Sequence, residues 1–437
     1  YFWTSGEENT FIGYNSGFGS AAASTGGENT LVGSLAGGNT SAITGNGNTS
    51  IGRYTLYALT SGNFNTALGH QAGGSISTGL SNTLVGKNAG DSIGAGSRNS
   101  ILGQSGGQAI TTGSDNVAIG YEALAALTSN GHNVGIGVNA GLKFTGSRLV
   151  AIGYGAGKEL LSDVDNVFIG QQAGENRTAG IDNTFVGAYA NYAGGTGCCN
   201  TGVGKSAGYS LTSGVQNTFL GRQAGYSITT TNDNTMIGHN AGILSTGTAN
   251  TYVGSYAGDA SNQSGYSNTG IGRAALSKVT SGFEHTTLGR DAGDEITTGS
   301  NCIAIGFAAG SGSSPRHMTT NSNEIVIGNN SIVGAYVRVA WTTGSDKRDK
   351  INFSDVPHGL DFVNKLKPTS YDLRKERDSD ETIGKRKYGF IAQEILELEG
   401  DNPVIIDNSD ENKLALQDSN IIPILVKAIQ ELKAEID

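Results

Sequence analysis

Asn65-Thr66-Ala67-Leu68-Gly69 is followed, seventeen positions on, by Asn82-Thr83-Leu84-Val85-Gly86, and this recurrence decides the fold. The phrase Asn-Thr-x-apolar-Gly also stands at 9–13, 29–33, 183–187, 217–221, 234–238 and 268–272, with Asn48-Thr49-Ser50-Ile51-Gly52 among its copies. Its closing glycines fall at 13, 33, 52, 69, 86, 103, 120, 137, 153, 170, 187, 204, 221, 238, 254, 272, 289 and 306. Twelve of the seventeen intervals are 17 residues and the others are 16 to 20. A looser copy ends at Gly328. An Ala-Gly pair often starts three residues after the glycine, as at Ala89-Gly90, Ala140-Gly141 and Ala173-Gly174. A Thr/Ser/Gly turn signal follows, as at Thr111-Thr112-Gly113.

A fixed short period is the signature of a repeat architecture, and a helix pair needs ~33 residues or more per repeat. Glycine is also far too frequent for helices. The pattern predicts one coil of a β-solenoid, or β-roll, per period, with about 17 residues per coil and short strands at Phe185-Val186 or Ala118-Ile119. The apolar residue before each glycine is expected to point inward, and the glycine to turn a corner where a Cβ would not fit. Stacked coils repeat every ~4.8 Å, so eighteen or nineteen of them make a rod of roughly 90 Å. That stacking brings the asparagines into a column, where each amide can donate and accept along the stack. Leu149 and His285 interrupt the column, and the match slips by one at Asn301. A disordered Gly/Ser/Asn linker needs no fixed period and no Ile, Val or Leu before each glycine.

Composition divides the chain. Residues 345–437 hold only 4 of the 69 glycines but 34 charged residues and four of the five prolines. The sequence therefore reads as a shaft over 1–328, a connecting strand and neck over 329–344, and a small α+β domain over 345–437. Net charge is −10 with no basic block. Phosphate binding needs clustered cations, so nucleic acid is not an expected partner. No run approaches the ~20 apolar residues of a membrane span, and no membrane insertion is expected. No signal peptide opens the chain, although Tyr1 is not methionine and a longer protein is conceivable. Cys198, Cys199 and Cys302 do not form a disulfide framework and read as small buried fillers. The six histidines, His70, His132, His239, His285, His317 and His358, are scattered, so no metal or other cofactor is expected.

The repeat resembles the head repeats of trimeric autotransporter adhesins, and more closely the Asn-Thr-x-Ile-Gly-x-x-Ala-Gly repeats of predicted phage tail fibres. The resemblance covers roughly residues 6–328. It implies rolls assembled side by side as a homotrimer. A single roll exposing so many small residues buries little apolar area, which also favours lateral association.

After Gly328 the period stops. Residues 336–341, Tyr-Val-Arg-Val-Ala-Trp, alternate as a strand. Ser345, Asp346, Arg348 and Lys350 follow, then Gly389-Phe390-Ile391-Ala392-Gln393-Glu394. Together these resemble the endosialidase-type intramolecular chaperone family, also classed as self-cleaving peptidases, whose pattern opens Ser-Asp-x-Arg-x-Lys and later reads Gly-Phe-Ile-Ala-Gln-Glu. The sequence departs at Asp349, where the family usually carries an apolar residue. The resemblance implies a domain that trimerises, promotes folding of the shaft ahead of it, and then cuts its own chain between Gly344 and Ser345. It implies Ser345 as nucleophile and Lys350 as general base, with Asp346, Arg348, Gly389, Phe390, Gln393 and Glu394 as supporting motif. A serine hydroxyl needs such a base, and a lysine can act only if burial or nearby cations lower its pKa. Lys347 and Arg348 stand close enough in sequence to help. Gly344 leaves the preceding carbonyl open.

A helix is expected from about 420 to 437. Asp418, Ser419 or Asn420 can cap it and Pro423 fits its first turn. Ile422, Leu425, Ile429, Leu432 and Ile436 form a heptad seam for a coiled coil. Isolated, such a seam favours parallel dimers; two heptads are too short to outweigh a trimeric shaft.

The reading is thus a virion tail fibre, structural and attaching to a host-surface glycan or protein receptor, with the homotrimer itself as the other partner. A bacterial or cellular trimeric surface adhesin with the same chaperone is the first alternative. A glycan-degrading tailspike is the second, but it needs paired carboxylates in a groove. Residues 1–344 hold 18 acidic residues without a recurring cluster; loops such as Asp291 to Glu295 stay open. Tyr14, Tyr121, Tyr154, Tyr209 and Tyr226 serve equally as glycan contacts or as filling between coils or protomers.

Overall fold

Three residues per coil are enough to pair, because the next coil presents the same three at the same height. The computed structural model describes residues 5–18, 24–38, 41–260, 263–339, 341, 344–375 and 378–437. Eighteen three-residue strands, from Thr10–Ile12 to Ile303–Ile305, lie parallel in chain order, and a further strand, Ile325–Ile327, follows. Register follows the repeat: Thr66 faces Thr83, Ala67 faces Leu84 and Leu68 faces Val85. The remainder of each coil is turn, yet its amides also bond along the stack, as Gly73 N–H to Ala89 O at 2.9 Å and Ser77 N–H to Gly94 O at 3.0 Å. Backbone groups inside the roll thereby find partners without long strands.

The corner glycines behave as expected. Gly33 has φ +137°, and a Cβ there would lie 2.3 Å from the Gly52 carbonyl oxygen in the next coil. The asparagine column is also present. Asn65 donates its side-chain amide to Asn48 Oδ1 at 3.0 Å and to Gly79 O at 2.9 Å. At the slip near Asn301 the column position belongs to Cys302, which is buried and whose N–H reaches His285 Nδ1 at 3.2 Å. Asn301 instead lies outside and bonds Asn323 at 2.8 Å. All three cysteines are free; only Cys302 is the expected buried filler, because Cys199 sits at an exposed left-handed turn position.

The facing of the strands is the reverse of the expectation. The residue before the glycine points outward: Leu68, Leu102 and Leu288 are 45%, 51% and 50% exposed. The middle residue points into the roll, where Leu31, Leu84, Phe168, Phe185, Met236 and Tyr252 are fully buried. Phe168 and Phe185 stack on adjacent coils with ring centres 6.4 Å apart, while elsewhere a large residue meets a glycine. A Cβ at Gly202 would lie 2.5 Å from the Phe185 ring, and one at Gly270 would lie 3.1 Å from the Tyr252 ring. Large beside small keeps the interior filled, which close packing demands.

A second inward column runs Ile76, Ile93, Ile110, Leu127, Phe144, Leu160, Arg177, all without exposed surface. Arg177 takes an apolar slot. Its Nη1 donates to Asn191 Oδ1 at 2.8 Å, while Nε and Nη2 are buried without a hydrogen-bond partner. Burial pushes its pKa down to about 10, against the opposing attraction of Asp163 and Cys198.

The chain divides into two compact units, residues 1–307 with 318–325, and residues 308–317 with 326–437. In the second, no strand is assigned among the described residues of 329–344; Ala340, Thr342 and Thr343 of the expected neck lie outside the described residues. This unit contains α1 (Leu360–Val363), an antiparallel pair Thr369–Arg374 with Thr382–Gly389, α2 (Ala392–Glu399), a short pair Ile406–Asp407 with Ala415–Leu416, and α3 (Ile421–Ile436). Phe362, Ile395, Ile405, Ile406, Ile421 and Ile424 form its core. Thus α3 packs through Ile421, Ile424 and Ala428 and leaves its other face outward. That outward face is the heptad seam, with Ile429 66% exposed. Asn420 stands at the N-cap of α3 but does not cap it, because its amide donates instead to Val404 O at 2.7 Å.

Candidate functional site

Residues 347–349 form one 3₁₀ turn, and that turn builds the site. Asp346 caps it by accepting from Arg348 N–H at 2.9 Å, the usual service of aspartate at this position. Lys350 N–H closes it on Lys347 O at 3.2 Å. The reversal folds Lys350 back over the residue preceding the cap. Lys350 Nζ donates to Ser345 Oγ at 2.6 Å. The pair is held by local geometry alone, since both residues are exposed.

The neighbouring charges are already engaged. Arg348 forks onto Asp346, with Nη2 to Oδ2 at 2.6 Å and Nε to Oδ1 at 3.1 Å. The pairing holds the Asp346 carboxyl below its ordinary range and Arg348 above its own. Lys347 Nζ lies 5.7 Å from the centre of the Phe353 ring. Arg348, expected as a cation acting on Lys350, has its charge balanced by Asp346. A Cβ built at Gly344 meets nothing within 4 Å, so nothing crowds that side of the bond.

The Gly389-to-Glu394 motif serves a different purpose. Gly389 ends a strand, Ile391 stands at the N-cap of α2, and Ala392, Gln393 and Glu394 form its first turn. Phe390 packs on the core, and Glu394 lies 3.9 Å from Lys367. Among the described residues no hydrogen bond or ion pair joins this corner to Ser345 or Lys350; its observed contacts are with the core and with Lys367.

The sequence reading missed Glu399. Its carboxylate accepts from three successive amides, Val404 at 2.8 Å, Ile405 at 2.7 Å and Ile406 at 3.0 Å, tying the following loop to α2. A signal existed, because an acid in the last turn of a helix opposes the helix dipole and so needs another reason to be there. Glu431 of α3 likewise accepts from Leu360 N–H at 2.6 Å, and Lys427 donates to Val356 O at 2.6 Å.

Residues 345–402 match the chaperone of endosialidase family. The match begins on Ser345 and takes in Lys350 and the whole Gly389-to-Glu394 corner. The chain is also similar to the long tail fiber protein Gp37 of Enterobacteria phage Ox2 and to that of Enterobacteria phage M1, at 38% identity over 112 residues. That stretch is 25% of this chain, and the chain spans 41% of the length of these relatives. No solved structure matches the chain significantly. No helix among the described residues is long and apolar enough to cross a membrane.

Proposed function

We propose that the chain is the distal part of a phage tail fibre, a virion component for host attachment, whose C-terminal chaperone domain assembles three copies, promotes shaft folding and is then released by autoproteolysis. The single observation carrying the release step is the 2.6 Å hydrogen bond between Lys350 Nζ and Ser345 Oγ, placed where the chaperone family match begins.

The chemistry follows from Ser345 sitting directly after the bond it attacks. Lys350, as the free amine, takes the hydroxyl proton, and Oγ adds to the Gly344 carbonyl carbon. The C–N bond breaks and the departing Ser345 nitrogen receives the proton. Gly344 is left as an ester on Ser345 Oγ. Water hydrolyses that ester to a Gly344 carboxylate and a free Ser345 amino terminus. A lysine works as a base only when buried or pressed by other cations. In one chain Lys350 is exposed and Arg348 is neutralised by Asp346, so the desolvation is assigned to neighbouring copies.

Assembly is supported by two unpartnered apolar surfaces. On the shaft, an aliphatic side chain stands outward in coil after coil, among them Ile51, Leu68, Leu102, Leu220 and Leu288. Eighteen such side chains, nine of them exposed and the rest partly so, amount to on the order of 1,000 Å², about the area each partner contributes to a stable interface. A stripe repeating at the rise of the coils matches a partner with that same rise, which another copy supplies. On α3, the outward seam Ile422, Leu425, Ile429, Leu432 and Ile436 is the second surface.

Expression of the wild type beside Ser345→Ala, followed by denaturing electrophoresis, tests the cut. A wild-type product the size of residues 1–344 that is absent from the variant supports it. Identical full-length bands in both would remove the cleavage claim and leave the chaperone role standing.

A further inference from the structure

One coil near the start of the shaft breaks the pattern. Where its successors read Ala72-Gly73 and Ala89-Gly90, it reads Thr55-Leu56 and then Tyr57. In the 17-residue register Tyr57 is followed by Gly74 and then Asp91. Gly74 carries no side chain, and the Asp91 carboxylate leans into the space one would take: a Cβ at Gly74 would lie 2.6 Å from Asp91 Oδ1. These positions border a cleft of about 510 Å³ lined by Arg53, Tyr54, Tyr57, His70, Gln71 and Asp91.

These side chains brace one another. The Arg53 guanidinium stacks 4.6 Å from the Tyr54 ring centre. Tyr54 meets Tyr57 edge-on at 5.5 Å and His70 edge-on at 6.4 Å. His70 Nδ1 is buried without a hydrogen-bond partner. Burial raises the Asp91 pKa, with His70 opposing. The cleft thus combines aromatic surface with fixed donors and acceptors, at a volume within the usual span of ~300–1,000 Å³ for small-ligand sites.

We propose that this cleft binds a saccharide, specifically an uncharged pyranose. A pyranose presents a face of C–H bonds, which packs on an aromatic ring, and a rim of hydroxyls that both donate and accept. Tyr57 offers the ring, Arg53 and Gln71 offer donors, and Asp91 and Gln71 offer acceptors. The opposite charges of Arg53 and Asp91 leave no net preference for an ionic sugar. The proposal rests on the attachment reading above and gives it a receptor chemistry.

Saturation-transfer NMR on the full chain tests it, with methyl glucoside, galactoside, mannoside and N-acetylglucosaminide as probes and methyl sialoside as the charged comparison. At least one neutral pyranoside is expected to receive transfer, at least fivefold more than the sialoside. Tyr57→Ala and Asp91→Asn should each cut that transfer at least fivefold with circular dichroism unchanged, and Gly74→Ser should do so by displacing the Asp91 carboxylate. Absence of transfer to every neutral pyranoside, or transfer undiminished in Tyr57→Ala and Asp91→Asn, would overturn the proposal. Adsorption of labelled wild-type fibre to a panel of enterobacterial strains separates the two readings. Adsorption without pyranoside binding rejects the cleft and keeps attachment, whereas pyranoside binding without adsorption rejects attachment and keeps the cleft.

Discussion

Asn48 holds Asn65 twice: its Oδ1 accepts both the backbone N–H and the side-chain amide of Asn65, each at 3.0 Å. The asparagines from Asn29 to Asn116 each do this for their successor, so removing one strips a buried acceptor from the next coil. Asn99→Ala is expected to cost about 2–4 kcal/mol, since two buried donors of Asn116 lose their partner. Leu149 accepts no such bond from Asn166, so Leu149→Asn should stabilise the shaft by about 1 kcal/mol. Urea midpoints measure both, and an unchanged midpoint in Asn99→Ala would show that the column contributes nothing.

Ile152 and Ile169 stand on adjacent coils, paired in register and facing outward. Replacing both by Glu leaves the interior of the roll untouched but places charge in the stripe assigned to lateral contact. Sedimentation velocity should show loss of the trimer, and a variant as trimeric as the wild type would place the interface on another face.

Lys350→Arg separates charge from basicity. Guanidinium is not deprotonated in proteins and so cannot take the Ser345 proton. Intact-mass measurement should find only the uncut chain, in a particle of unchanged oligomeric state. A cut chain would remove Lys350 from the mechanism.

His285 replaces an asparagine, and its Nδ1 must be unprotonated to accept from Cys302 N–H at 3.2 Å. Burial lowers its pKa, with a backbone contact at Gly299 partly opposing. In the unfolded chain histidine takes up a proton near pH 6.5, before the folded form does. The shaft should therefore lose stability as pH falls from about 6.5 to the folded pKa, and be insensitive to this group above that range. His285→Asn should flatten the decline, as read from unfolding midpoints between pH 5 and pH 8; an equal slope in both proteins would rule His285 out.

Arg177 is the charge in the interior column, and only Nη1 has a hydrogen-bond partner. Apolar replacement of buried charges is commonly neutral or stabilising by about 1–4 kcal/mol. Arg177→Leu should raise the melting temperature. A fall would mean that Asp163 and Asn191 together hold the arginine better than the geometry indicates.

Much of this architecture is legible in the chain because period and function of each position coincide. The corner glycines and the asparagine column follow from the 17-residue spacing, and the outward seam of α3 from its heptad. The facing of the strands was misread because a three-residue strand puts its first and third side chains on one face, and both faces here carry apolar residues. The pairing of Phe185 with Gly202 and of Tyr252 with Gly270 was the available clue, since only a filled interior requires volumes to compensate between neighbours. At the proposed cleavage site, Ser345 and Lys350 follow from a motif, but their meeting depends on the 3₁₀ turn capped by Asp346, which spacing alone does not reveal. The cleft beside Gly74 is hidden for a related reason, because only comparing each coil with the next shows that the Asp91 side chain leans over a glycine.

Gly33 and Gly52, like every later pair of corner glycines, meet by the same contact at the same height. Reach is therefore modular. Recombination between rungs can lengthen or shorten the roll by whole units while the corner-glycine contact at each new junction stays the same, provided the interior residues that meet there fit. Length can thus change by whole coils while the C-terminal unit stays as it is.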